Sequence, residues 1–101
     1  MPDFGNPFAG LKKDRKLTHD ELVRAIRFMI SAEYEAIQLY QQLAESIDNK
    51  LAIEVLEDIA NEEKVHAGEF LRLLYELDSK ESIYYKEGAA EVKAEIEKLK
   101  G

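Results

Sequence analysis

Cysteine is absent from the 101 residues, which excludes a disulfide, a thiolate zinc site and an iron–sulfur centre in this chain. No apolar run approaches the roughly 20 residues that cross a bilayer, and the N-terminus lacks a secretion signal's apolar core. The expectation is a cytoplasmic protein with no membrane partner. Basic residues are in deficit, 14 against 21 acidic, for a formal charge of −7. That balance argues against a nucleic-acid partner and favours cations. Internal repeats and low-complexity segments are also missing, and a chain this short can bury little core on its own.

What is present is long-range helical patterning. Residues 1–17 carry Pro2, Gly5, Pro7 and Gly10, then a basic cluster from Lys12 to Lys16, and read as a flexible N-terminal arm with Phe4 and Phe8 as possible anchors. Thr18 and Glu21 form a capping box opening a first helix. His19 lies in its first turn and is expected to be exposed. Ser46-Ile-Asp-Asn-Lys50 is the one polar break before Leu77, so two helices should form an antiparallel hairpin over 18–79. Gly88 should break the chain again before a short amphipathic helix, Ala89 to Lys100, within 80–101, with Val92, Ile96 and Leu99 on one stripe.

Both long helices carry a seam of alternating three- and four-residue steps: Val23, Ile26, Ile30, Glu33, Ile37, Tyr40, Ala44, Ile47, and Ala52, Leu56, Ile59, Glu63, His66, Phe70, Leu73, Leu77. Glu33, Glu63 and His66 interrupt otherwise core-like positions, where an unpaired charge would oppose folding by several kcal/mol. Taking Asp48 as pivot, Glu33 and Glu63 each lie fifteen residues away, both about 22 Å from the turn at 1.5 Å per residue. His66 follows one turn on, on the face of Glu63. Ionisable seam residues at one height read as metal ligands. One hairpin supplies half of the donor set of a di-iron carboxylate bundle, so two copies related by a two-fold axis would complete it with four Glu and two His. Carboxylate and imidazole without thiolate suit Fe, Mn or Zn alike. Tyr40, on the face of Glu33, is either a hydrogen-bond donor to a ligand carboxylate or an aromatic at the core edge.

The runs Ala32-Glu-Tyr-Glu-Ala-Ile-Gln-Leu-Tyr40 and Asn61-Glu-Glu-Lys-Val-His-Ala67 resemble the half-bundle motifs of the rubrerythrin and ferritin-like superfamily, and most closely those of the encapsulated ferritins. The resemblance implies an all-α chain, an antiparallel two-helix hairpin plus a short C-terminal helix, dimerising into a ferritin-like four-helix bundle. It implies that Glu33, Glu63 and His66 are ferroxidase ligands shared across the dimer, that Glu35 is an outer carboxylate at the site's entrance, and that Tyr40 stands beside the centre. Ala32 and Leu39 replace a second entrance carboxylate and a tryptophan of the family, which would weaken an entrance site. Without cysteine, the rubredoxin module of full rubrerythrins has no counterpart in this chain.

The function expected is a ferroxidase, oxidising Fe(II) to Fe(III) at a di-iron site shared between two chains, for storage in an encapsulin nanocompartment. Two alternatives stay open: a rubrerythrin-like di-iron centre that scavenges peroxide with an external electron donor, and a non-catalytic helical oligomer with a polar interface. Phe28, Ala32, Glu35 and Leu39 form a second, narrower seam on the back of the first helix, expected to join dimers into a ring-like oligomer.

Overall fold

The computed structural model describes residues 15–101, and among these the chain is helical throughout, with no strand: α1 His19–Glu45, α2 Lys50–Leu77 and α3 Ser79–Lys100. The first fourteen residues of the expected arm, with Phe4 and Phe8, lie outside the described residues.

The start of α1 is fixed by the capping box. The Thr18 hydroxyl accepts from the Glu21 amide at 3.2 Å, and the Glu21 carboxylate accepts from the Thr18 amide at 2.8 Å. Arg15 adds a two-pronged pair to the same carboxylate, at 2.6 and 2.8 Å. These donors, Arg15 foremost and then the Thr18 amide, hold Glu21 down to about 2. A carboxyl with a depressed pKa stabilises the fold above its ordinary range, and that contribution fades as the pH falls through the depressed value. Glu21→Gln is therefore expected to melt below wild type near neutral pH, with the difference closing toward pH of about 2, as followed by circular dichroism.

Ser46 closes α1, donating its amide to Leu43 O at 3.0 Å and its hydroxyl to Gln42 O at 2.7 Å. Asn49 opens α2, its side chain accepting from the Ala52 amide at 2.9 Å. The helices return antiparallel, so His19 in the first turn of α1 donates from Nε2 to Leu77 O at the end of α2, 2.8 Å away. His19 is exposed, as expected from its position. The core gathers Val23, Ile26 and Ile30 of α1 with Leu74 of α2, flanked by Phe70, Leu71 and Leu77.

On α1 the buried residues Val23, Ile26, Ile30, Ile37 and Ala44 follow the expected seam. On α2 they do not. Its buried stripe is Ala60, Ala67 and Leu74, one position past Ile59, His66 and Leu73. Alanine lets two backbones approach closely, so the small residues turn toward α1. The larger apolar residues of the expected α2 seam then line the flank: Leu56, Ile59 and Phe70 are half-buried and Leu73 is exposed. The hairpin thus has two adjacent apolar stripes, and among the described residues the second is only partly covered, with Phe70 and Leu77 packing along the edge of the core.

The C-terminal region also departs from expectation. Gly88 does not break the chain; α3 begins at Ser79 and runs through it to Lys100. Asp78 is the reason for the early start. Its amide closes α2 on Leu74 O at 2.8 Å, and its carboxylate accepts from the Glu81 amide at 3.2 Å. A glycine inside a helix costs about 1 kcal/mol relative to alanine, which the surrounding Lys, Glu and Ala residues outweigh. A Cβ at Gly88 would meet nothing within 4 Å. Gly88→Ala is accordingly expected to stabilise α3 by roughly 0.5–1 kcal/mol, read as a higher melting temperature.

α3 is anchored at its first turns alone. Arg27 of α1 reaches Glu81, with Nε 3.0 Å from Oε1, and stands 4.0 Å from Asp78. The Tyr85 hydroxyl donates to the same Glu81 carboxylate, and its ring stacks obliquely on Tyr75 of α2 at 5.9 Å. Burial, then the bond to Glu81, pushes the Tyr85 phenol up to about 12. No residue of α3 is buried.

Candidate metal centre

Glu33 lies in mid-α1, and Glu63 and His66 lie one turn apart on α2, so regular helix fixes all three backbones. The antiparallel return brings them level. One ligand atom from each lies within 4.8 Å of the others, a grouping found nowhere else among the described residues. His66 Nδ1 is 3.4 Å from Glu63 Oε1 and 3.8 Å from Glu33 Oε2. The Glu33 and Glu63 side chains are 17% and 19% exposed, and His66 is 48% exposed on the open side of the cluster.

One atom in this group is badly placed for a metal-free protein. Glu33 Oε2 is buried and has no hydrogen-bond partner. An acceptor left so costs about 1–3 kcal/mol, more when charged. Its ionisable neighbours are another carboxylate and an imidazole edge, and a cation between the two carboxylates would satisfy it. Glu33 is accordingly raised above the ordinary carboxylate range: hydrogen bonding to Glu63 comes first, then burial and the Glu63 charge, against the opposing pull of His66.

A divalent cation would satisfy the same two carboxylates. Donors about 2.0–2.2 Å from one ion lie at most about 4.4 Å apart; the two His66 separations, 3.4 and 3.8 Å, fall inside that limit, and all three ligand atoms lie within 4.8 Å of one another. Two carboxylates and one imidazole suit Fe, Mn or Zn, and three protein donors leave coordination positions open.

The other expected site residues stand apart. Glu35 is half-buried but outside the group, because two residues turn a helix by about 200°. Tyr40 is half-buried on α1, and no hydrogen bond joins it to Glu33, Glu63 or His66. On the back of α1, Ala32 and Leu39 are exposed and Phe28 is half-buried. The pair Arg27 and Glu81 was not foreseen; 54 residues separate them, and no periodicity links them.

The sequence profile of the rubrerythrin family matches residues 22–100. The ferritin-like–encapsulin shell fusion protein of Pyrococcus furiosus is 40% identical over 83 residues, covering 82% of this chain and 24% of that protein. The encapsulin nanocompartment cargo protein EncC of Myxococcus xanthus is 40% identical over 82 residues, covering 81% of this chain and 62% of the relative. The chain thus spans less than two thirds of either curated relative. The crystal structure of the encapsulated ferritin domain from Pyrococcus furiosus superposes with a TM-score of 0.79 at 40% identity, covering 82% of this chain and 85% of that one.

Proposed function

The chain belongs to the rubrerythrin family, and on that premise we propose that it is a ferroxidase that takes Fe²⁺ as substrate at Glu33, Glu63 and His66. The observation that carries the reading is the buried, partnerless Glu33 Oε2 set between Glu63 and His66. A protein without a cation at this point gains nothing from that arrangement.

Three donors per chain are too few to enclose a pair of irons, and two copies supply four carboxylates and two imidazoles. The partly covered stripe beside the cluster supports the same pairing, since Leu56, Ile59 and Phe70 lie half-buried and Leu73 exposed around Glu63 and His66. A homodimer closed over this face forms the four-helix bundle and shares the di-iron site. The exposed Leu39 and half-buried Glu35 on the back of α1 mark the second contact, through which dimers join in a ring-like oligomer.

The residues' work follows from their chemistry. Protonation of Glu33, whose pKa is raised, competes with Fe²⁺ for the same carboxylate, so binding weakens as the pH falls. His66, half-exposed, offers an imidazole nitrogen at the open side. Two Fe²⁺ then give up one electron each. Dioxygen accepts both with two protons and leaves as hydrogen peroxide, or peroxide accepts them with two protons and leaves as two waters. Once two copies close over the site, Tyr40 is the proposed hydrogen-bond donor to a ligand carboxylate and Glu35 the proposed outer cation contact.

The relatives named as a shell fusion and as nanocompartment cargo make an encapsulin compartment the proposed container for the Fe³⁺ product, and its interior the proposed location. The family match itself supports a second reading, a rubrerythrin-like centre that reduces peroxide with electrons from an external donor. Mixing Fe²⁺-loaded protein with air and following ferric absorbance separates the two. A ferroxidase oxidises added Fe²⁺ over many equivalents and releases Fe³⁺. A scavenger consumes peroxide steadily only with a reductase present and accumulates no iron.

A further inference from the structure

We propose that α3 pairs in parallel with α3 of a second copy, forming a short two-stranded coiled coil that is separate from the hairpin face. The inference does not rest on the metal reading.

Past its anchored first turns, α3 carries Tyr85, Ala89, Val92, Ile96 and Leu99 at steps of four, three, four and three. This is a coiled-coil seam. Beyond Tyr85 it has no cover among the described residues: Val92 is 59% exposed and Leu99 is 87% exposed. Ile96 and Leu99 stand at the two seam positions where isoleucine and leucine favour a parallel dimer.

The flanks decide which partner fits. One side of the seam is Lys86, Lys93 and Lys100; the other is Glu81, Gly88 and Glu95. In a parallel pair, each flank meets the opposite flank of the other helix, five residues further on. Glu95 then faces Lys100 of the partner subunit, and the symmetry-related contact repeats it. In an antiparallel pair like flanks meet, so lysine would oppose lysine at every turn. Glu81 is already held by Arg27 and Tyr85, which sets the direction in which α3 leaves the hairpin and leaves Glu95 as the acidic contact. The seam therefore selects a second copy of itself, in one orientation.

The absence of cysteine allows a direct test in the full-length chain. Parallel pairing in register places residue 99 against its own copy, and a disulfide forms only where Cα atoms come within about 7 Å. Leu99→Cys and Ala94→Cys, on the seam and opposite it, are oxidised mildly, and each rate is normalised to that thiol's reaction with a small disulfide reagent. Leu99→Cys is expected to link into covalent dimers at least about tenfold faster than Ala94→Cys, because pairing raises the effective concentration of the facing thiol. Adding Lys100→Glu should slow the linkage toward the Ala94→Cys rate, and adding Glu95→Lys to that variant should restore it. Equal rates for the two thiols, or faster linkage with Lys100→Glu, would overturn the proposal. The same holds if Leu99→Cys forms no covalent dimer. Because all of this is read on metal-free protein, failure here leaves the ferroxidase reading untouched, and failure of that reading leaves this one standing.

Discussion

Glu63→Ala and His66→Ala are each expected to reduce Fe²⁺ oxidation to the rate seen in buffer, a loss of roughly two orders of magnitude or more. Substituting groups that merely orient metal ligands already costs 10–100-fold in affinity or activity, and these two residues are donors in the proposed site itself. Glu63 supplies the carboxylate facing Glu33, and His66 the single imidazole within reach of both. Neither is part of the hydrophobic cluster around Leu74. The helix content of both variants should therefore match wild type, separating loss of site from loss of fold. Lys64→Ala is the matched control: Lys64 lies between them in sequence but is exposed and bonds only Asn61, at 3.3 Å. Its oxidation rate should be unchanged. Stopped-flow ferric absorbance measures all three, and a Glu63→Ala, His66→Ala double variant that oxidises iron at the wild-type rate would sink the assignment.

Glu33→Gln should have opposite effects on the metal-free and metal-loaded protein. The raised pKa of Glu33 means that its charged form is disfavoured in the fold. Such a group's favourable contribution is fully present below the unfolded carboxylate value and is lost as pH rises through the higher folded value. Wherever Glu33 is ionised, the metal-free protein holds two crowded carboxylates. Glutamine removes one charge and adds an N–H that can donate to Glu63. A gain of about 1 kcal/mol, the low end for an unsatisfied buried acceptor, raises the melting temperature by roughly 4–8 °C in a domain of this size. The advantage should shrink as pH falls below the ordinary carboxylate range. With metal the order reverses. Wild type gains about 2.7 kcal/mol at a free metal concentration 100 times its dissociation constant, while the variant, lacking a charged donor, gains little. Thermal melts with and without Zn²⁺ or anaerobic Fe²⁺ read both effects.

Much of this was legible in the amino-acid sequence, and the parts that were not have physical causes. Thr18 with Glu21, and Asn49 at the turn, are local signals whose hydrogen bonds need no tertiary context, so both hairpin helices begin where the sequence says. Glu33, Glu63 and His66 were legible as a group because ionisable residues at seam positions conflict with burial, and equal distance from Asp48 levels two of them. The α2 seam was misread by one position because Ala60 and Ala67 carry little hydrophobic signal, yet they are what lets α1 approach. The bulky residues beside them suggest a core that the single chain does not build. Gly88 was read as a break because propensity weighs one residue, whereas the Asp78 cap and the helix formers on both sides decide the outcome. The crowding that raises Glu33 had no sequence signal, since it depends on side-chain distances of a few ångströms.

The central claim is a metal pair shared by two chains. Anaerobic titration of metal-free protein with Fe²⁺, followed by admission of air, tests it most directly. Binding that saturates at one iron per chain, with rapid ferric absorbance on oxygenation, is the predicted result. Non-saturable binding, or oxidation no faster than iron in buffer, would contradict it.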